Sequence, residues 1–281
     1  MDILISGSKG FVGTHLCNEF EDFNIEFFDR KTKDIKSINS WLSYKKKDIL
    51  IFLSSRTSIY ESWGNPHEFI TDNVQALHAA LEYCKKLDVN LIYLSSFTYE
   101  IKESGHYSEK DKTKAYNPYA LSKLTSEQLI SFYSSNFNVN AIILRPFNIY
   151  GPGQKESFLI PHIFNEFKKG NIIRLQTTSP IRDYIYVKDI VRAIYLATIG
   201  TIKGIKVYNL SFGNGTSVSE LVSLISKVLA KKYKIKVGGT PHQNKIVKTI
   251  GDSTLFRSDY NWEPEYDLIS GIKACKEFYY K

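Results

Sequence analysis

With 281 residues, 43% of them hydrophobic and 23% charged, the chain can bury a full core as one large domain or two coupled ones, which excludes a disordered or fibrous protein. The net charge of +8 is spread along the chain, with runs at Lys45-Lys46-Lys47 and over residues 231–236 where helix ends and turns are expected. That pattern reads as a lysine-rich surface rather than a nucleic-acid stripe, and its positive field suits a dianionic small substrate.

No apolar run approaches the ~20 residues needed to span a bilayer, and the first residues enter a strand with no signal-peptide pattern. Three scattered cysteines, Cys17, Cys84 and Cys275, give neither a disulfide framework nor metal-ligand spacing. A cytoplasmic chain with no metal, no nucleic acid and no membrane partner is therefore expected.

Residues 2–6 read as a short buried strand, followed at once by Gly7-Ser8-Lys9-Gly10-Phe11-Val12-Gly13 and a helix through about residue 20. A strand, a glycine-rich turn and a helix suit a dinucleotide. The glycines permit the tight turn and a close backbone approach to a pyrophosphate, and the helix N-terminus meets the phosphates. The second strand, residues 25–28, ends in Asp29-Arg30. A carboxylate there suits the ribose hydroxyls of NAD(H) and an arginine suits the 2′-phosphate of NADP(H), so the pair leaves the choice open. A helix over about 37–46 leads to a third strand, 48–53, whose carboxyl end, Ser54-Ser55-Arg56, is expected over the cofactor. A long helix over about 66–87 contains Asn73.

The strand at 91–96 ends in Ser95-Ser96, and after a polar loop Asn117-Pro118 opens a helix running to about residue 135. Asn117 is a good N-cap, and Pro118 suits the first helical position because the NH it lacks would have no partner there. Tyr119 and Lys123, four residues apart, share one face of that helix. A free phenol titrates near pH ~10. An ammonium close by is expected to favour the phenolate and bring that value toward neutrality, while the serine hydroxyl holds a substrate oxygen against the phenol.

Residues 139–144 form a further strand, and the alternation of strands and helices predicts an α/β fold with a parallel, doubly wound sheet. Arg145-Pro146-Phe147-Asn148-Ile149-Tyr150-Gly151-Pro152-Gly153 then reads as a loop. Helices over about 158–169, 188–199 and 218–230 follow, with strand pieces at 172–175 and 181–187 and a strand at 207–210 that returns to the main sheet. Turns at 213–216 and 261–264 and a last helix near 266–280 complete the chain.

Gly7-x-x-Gly10-x-x-Gly13, the Ser95-Ser96 pair, Tyr119-x-x-x-Lys123, the loop from Arg145 to Gln154 and Arg182-Asp-Tyr-Ile-Tyr-Val187 stand in order along essentially the whole chain. Together they resemble the extended short-chain dehydrogenase/reductase family, and within it the nucleotide-sugar epimerase, dehydratase and ketoreductase group. The resemblance implies a Rossmann-type domain, residues 1–145 plus about 185–212, and a smaller α/β substrate-binding lobe, about 146–184 plus 213–281. It implies Tyr119 as acid–base residue, Lys123 beneath it and on the nicotinamide ribose, and Ser96 on the reacting sugar oxygen. Counting back from Tyr99 points to Ser95 instead, and both serines are kept. Gly7, Gly10, Phe11, Val12, Gly13, Ser95 and Pro146 would face the cofactor. Asp34 and Ile35 would take its adenine, Leu53 and Ser54 would make the strand-end contact, and Asn73 would lie near it. Asn148 would touch the substrate, Leu159 and Ile160 would lie beside its base, and Arg182 would grip its diphosphate with a fork of donors.

Departures narrow the activity. Dehydratases of this group follow the active-site hydroxyl with Asp-Glu, and here Phe97-Thr98 follows Ser96, so dehydration is not expected. The second diphosphate arginine, expected within 238–248, is absent, with His242 or Lys245 as weak substitutes, and the alanines usual after the third strand are Ser54-Ser55. The short 30–47 connection and residues 175–184 look more like reductases that make 6-deoxy and dideoxy sugars. The leading expectation is an NAD(P)-dependent reductase of a 4-keto(-6-deoxy) nucleotide-diphosphate sugar. The alternative is an NAD-dependent nucleotide-sugar 4-epimerase using the same residues twice. A non-catalytic dinucleotide-binding sensor is disfavoured because Tyr119 and Lys123 are both retained. The resemblance also implies a homodimer paired through the 66–87 and 117–135 helices.

Overall fold

The computed structural model describes residues 1–238 and 247–280. Among them, six parallel strands form a central sheet in the spatial order Ile205–Leu210, Ala141–Pro146, Asn90–Leu94, Ile49–Phe52, Asp2–Ser6 and Asn24–Phe27. From Asp2–Ser6 the chain first builds outward to Asn24–Phe27, then reverses to the other side. Open sheets of this kind bind ligands outside the carboxyl ends of their strands, at that reversal.

Side-chain alternation shows why the inner strands read as unbroken apolar runs. Ile3, Ile5, Ile49, Ile51, Ile92 and Ile142 pack on one face with helices Phe11–Cys17 and Val187–Ile199. Leu4, Leu50, Phe52, Leu91, Tyr93 and Ile143 pack on the other with helices Ala76–Leu87 and Pro118–Phe137. A parallel sheet covered on both faces needs apolar residues at every position. Each buried aliphatic side chain contributes about 1.5–3 kcal/mol. Asn24–Phe27, at the sheet edge, is largely exposed. The α/β, doubly wound parallel architecture expected from the sequence is the one observed.

A second sheet joins Gly215–Ser217, Ile181–Tyr186, Lys248–Gly251 and His106–Tyr107, with Asn148–Tyr150 also paired to Ile181–Tyr186. A two-stranded piece pairs Lys234–Val237 with Ile172–Leu175. Several of these strands fall where loop was expected, because they are held by tertiary pairing rather than by local pattern. The same is true of helix Thr254–Tyr260 in the tail.

Other expected boundaries shift for identifiable reasons. The helix expected over 37–46 is only Ile38–Leu42. Tyr44 turns inward against Phe28, with ring centroids 5.5 Å apart, and Lys47 leaves to meet Glu26 at 2.8 Å. The first helix ends at Cys17, and an unanticipated one, Ile59–Gly64, is capped by Ser58, whose Oγ accepts from the Glu61 NH at 3.2 Å. The long helix is Pro66–Ile70 and Ala76–Leu87 joined by a π-helical turn, Thr71–Gln75, that carries Asn73. His242 and Lys245 lie outside the described residues. No helix among the described residues is long and apolar enough to cross a membrane.

Candidate active site

The glycine turn is shaped for backbone contact. Gly7 has φ +83°, and a Cβ there would lie 2.8 Å from the Leu53 carbonyl carbon and the Ser54 nitrogen. At Gly13 a Cβ would come within 2.1 Å of the Gly7 oxygen. The turn is closed by Gly10 NH donating to the Gly7 carbonyl at 2.9 Å. Above it, at the carboxyl ends of the central strands, opens a cavity of about 770 Å³. It is lined by Gly7, Gly10, Phe11, Val12, Gly13, Leu53, Ser95, Ser96, Tyr119, Lys123, Pro146, Asn148, Leu159 and Arg182, which the sequence placed at the site.

A smaller hollow of about 130 Å³ adjoins it, with Ser55 on the wall of both. Arg30, Ile35, Ser54, Arg56 and Asp72 line it, and the buried Ser54 hydroxyl has no hydrogen-bond partner. A glycine cradle with no room for a Cβ, opening into an elongated cavity with an unpartnered hydroxyl at its far end, fits an extended dinucleotide. Asp29 and Asp34 line neither space. The Asp29 carboxylate accepts from Lys31 NH at 2.9 Å and the Thr32 hydroxyl at 2.8 Å, and these bonds hold it below the usual carboxylate range. Asp34 caps its own turn by accepting from Lys36 NH at 3.0 Å.

Two assigned residues lie behind the walls. Ile160 is 2% exposed and packs in the core, leaving Phe158 and Leu159 to face the cavity. Asn73 is 1% exposed. Its amide oxygen accepts from Arg56 NH at 2.8 Å, while its nitrogen donates to the Arg56 carbonyl at 3.2 Å and the Ser122 hydroxyl at 2.8 Å. It braces the strand-end loop against the tyrosine helix.

That helix begins as its sequence requires, with Asn117 Oδ1 accepting from Ala120 NH at 2.8 Å and proline in the first turn. The structure separates the two serines. Ser95 is 4% exposed and its hydroxyl is committed to Glu127 Oε1 at 2.5 Å. Ser96 lines the cavity with Tyr119 and acts to lower the phenol's pKa. Replacing Ser96 by alanine is accordingly expected to lower kcat by about 10²-fold at unchanged melting temperature, the low end for a lost acid–base partner. Ser95→Ala is expected to leave kcat within a few-fold and instead cost about 1–2 kcal/mol, since a buried carboxylate loses a donor. Steady-state rates beside thermal denaturation separate the two.

The expected tuning of the phenol is corrected. Burial raises the Tyr119 pKa, the Ser96 hydrogen bond pulls against it, and Lys123 is not among the groups that act on it. Lys123 is itself 2% exposed, donating to the Leu94 carbonyl at 2.8 Å and the Tyr93 hydroxyl at 3.3 Å. Burial lowers its pKa to about 7, against the opposing pull of Glu127. In this state the lysine, more than the phenol, titrates near neutrality.

At the substrate end Arg182 is half-buried on the cavity wall, its Nη1 donating to the Ile181 carbonyl at 2.9 Å. Burial lowers its pKa, and the phenols of Tyr184 and Tyr107 act in the opposite sense. Its neighbour Asp183 does not pair with it. That carboxylate accepts from the NH groups of Phe212, Gly213 and Gly251 at 2.9–3.2 Å, bracing the strand that carries Arg182. Burial nonetheless raises the Asp183 pKa to about 6.

The sequence reading missed a buried ion pair behind the site. Glu127 and Arg145 meet at 2.5 Å, each under a tenth exposed, and Arg145 also donates to the Tyr99 hydroxyl at 3.1 Å. The signal was available: Tyr119, Lys123 and Glu127 repeat every four residues and so share one helix face.

An open parallel sheet, a glycine cradle at its reversal and a serine–tyrosine–lysine cluster beside it define a nicotinamide-dinucleotide-dependent enzyme. The sequence profile of the NAD dependent epimerase/dehydratase family matches residues 3–210, and the chain belongs to that family. It is 29% identical to a GDP-6-deoxy-D-talose 4-dehydrogenase of Aggregatibacter actinomycetemcomitans over 100% of this chain and 97% of the other. It is 25% identical to a protein of Bacillus subtilis named as an uncharacterized UDP-glucose epimerase, covering 97% of this chain and 96% of the other. A UDP-glucose 4-epimerase structure from Thermotoga maritima, solved with UDP-glucose, superposes with a TM-score of 0.89 at 22% identity, covering 100% and 99% of the two chains.

Proposed function

We propose that this enzyme is a nucleotide-sugar 4-epimerase that retains its NAD. The observation that carries the reading is the make-up of the cavity. Among the described residues its walls hold the Tyr119 phenol, Ser96 and Lys123 but no aspartate or glutamate. Such a site can move a proton on and off one sugar oxygen, and it lacks the carboxylate needed to expel water from the neighbouring carbon. That supports redox chemistry at a single carbinol and argues against dehydration. The epimerase names among the relatives favour the epimerase over the reductase that the sequence put first.

When bound, the nicotinamide accepts the hydride from sugar C4 and later returns it. Tyr119, starting as the phenolate, would take the proton of the C4 hydroxyl and become the phenol, then return that proton to the same oxygen when C4 is reduced again. Ser96 would hold the same oxygen against the phenol, and a charged Lys123 ammonium would favour the phenolate that must be present before the proton is taken and again after it is returned. Arg182 and Asn148 would hold the diphosphate sugar, and Arg30, Ile35 and Ser54 the adenosine end of the cofactor. In this reading residues 1–145 with about 185–212 carry the cofactor, and about 146–184 with 213–281 the substrate. Exposed Leu121, Phe132 and Phe137 on the tyrosine helix support a homodimer, and a cytoplasmic location goes with a soluble nucleotide-sugar substrate.

The GDP-6-deoxy-D-talose 4-dehydrogenase relative keeps the 4-keto nucleotide-sugar reductase as the second reading. The test is to incubate the enzyme with UDP-, GDP-, dTDP- and CDP-hexoses, following C4 stereochemistry by NMR and the reduced-nicotinamide absorbance. Interconversion of C4 epimers with no net cofactor turnover is the expected result. Steady cofactor consumption with a 4-keto sugar nucleotide would establish the reductase, and no turnover of any sugar nucleotide would overturn both.

A further inference from the structure

We infer that Glu127 is a positioning residue acting through Lys123 and Ser96: its buried carboxylate, fixed by Arg145 and Ser95, lies one helical turn from the lysine as its counter-charge and pins the strand ends that meet at the reacting centre. The inference rests on the reading of Tyr119 and Lys123 as the acid–base pair.

The geometry is closed on every side. One carboxylate oxygen of Glu127 accepts from the Ser95 hydroxyl at 2.5 Å and from Arg145 Nε at 3.1 Å. The other accepts from Arg145 Nη2 at 2.5 Å. Ser95 directly precedes the catalytic serine at the end of one strand, and Arg145 directly precedes Pro146 at the end of the next, so a single side chain clamps two neighbouring strand ends to the tyrosine helix. From Arg145 the chain of bonds continues to the Tyr99 hydroxyl at 3.1 Å and on to Asn209 Oδ1 at 2.5 Å. It thereby reaches the strand Ile205–Leu210 and the cavity wall at Tyr99.

Glu127 also lies one helical turn beyond Lys123 on the same face. The groups facing the Lys123 ammonium can be named element by element. The strand Asn90–Leu94 presents the Tyr93 hydroxyl and the Leu94 carbonyl. Its own helix presents Tyr119 and Glu127, and the strand Ala141–Pro146 presents Arg145, already committed to Glu127. Burial penalises the ammonium, and Glu127 is the charge that opposes that penalty. The expected sign follows directly. Removing the carboxylate leaves desolvation unopposed, so the ammonium gives up its proton at lower pH. An ion pair whose role was only mechanical would weaken the fold without moving that titration.

The test needs neither substrate nor turnover. Competitive acetylation of the intact enzyme with acetic anhydride, read by peptide mass spectrometry across pH, gives the titration midpoint of Lys123. The wild-type midpoint is expected near 7. In Glu127→Gln it is expected to fall by about one pH unit, the usual scale for loss of a neighbouring opposite charge. Because the single variant leaves a buried guanidinium unpaired and is open to misfolding, Glu127→Gln/Arg145→Gln is measured as well, with a smaller downward shift expected because a repelling charge is removed along with the attracting one. Midpoints of both variants that coincide with the wild-type value would overturn the inference. A downward shift without sugar-nucleotide turnover by the wild type would leave the Glu127 inference standing and overturn only the proposed function.

Discussion

Tyr119→Phe is expected to lower kcat by about 10³-fold, within the ~10²–10⁴ range attributed to a positioned acid–base group. NAD(H) affinity and melting temperature should stay near wild type. The phenylalanine ring keeps the edge-to-face packing with Phe69, whose centroid is 6.5 Å away, so no cavity opens. What disappears is the phenol oxygen beside Ser96 that the proposed mechanism uses to take the substrate proton. Lys123 does not substitute, because its amine is engaged by the Leu94 carbonyl and the Tyr93 hydroxyl. Steady-state rates and NADH fluorescence titration together provide the check, and turnover within tenfold of wild type would remove the phenol from the chemistry.

The second large effect is expected at the cradle. In Gly13→Ala the new methyl would sit 2.1 Å from the Gly7 oxygen and 2.7 Å from Ser8 Cα. Both are backbone atoms of the turn, so the helix must move away from the strand. Overpacking of this kind costs about 3 kcal/mol and spoils the seat of the pyrophosphate. The expected result is a clear drop in melting temperature with at least about tenfold weaker NAD(H) binding by calorimetry, each factor of ten being about 1.4 kcal/mol. Gly10→Ala, whose nearest contact would be 3.1 Å, should be markedly milder. Equal effects at the two glycines would mean that the cradle is not the determinant.

The parts of this protein that were legible in its sequence are those whose cause is local. Two-sided burial turns the inner strands into apolar blocks, and Asn117-Pro118 announces the tyrosine helix by its own capping chemistry. The strand Lys248–Gly251, by contrast, exists because Ile181–Tyr186 offers it a partner, and nothing within its four residues signals that. Glu127 and Arg145 were passed over because charged residues are assumed to face water, an assumption that fails where two of them neutralise each other. The choice between Ser95 and Ser96 could not be made from counting, since strand ends blur by a residue. The structure adds that the helix behind the sheet takes up the Ser95 hydroxyl, through Glu127. Tyr119 and Lys123 both line the cavity, but the sequence carries no measure of desolvation, which raises the phenol and lowers the amine.

The Asn73 brace has a consequence for anyone redesigning this enzyme. Because one amide joins the backbone at Arg56 to Ser122, the strand-end loop and the helix bearing Tyr119 are mechanically one piece. A loop graft over residues 54–57 intended to change cofactor preference must therefore bring the turn Thr71–Gln75 with it. Otherwise the graft will loosen the register between hydride and proton, and an altered specificity will arrive with a slower reaction.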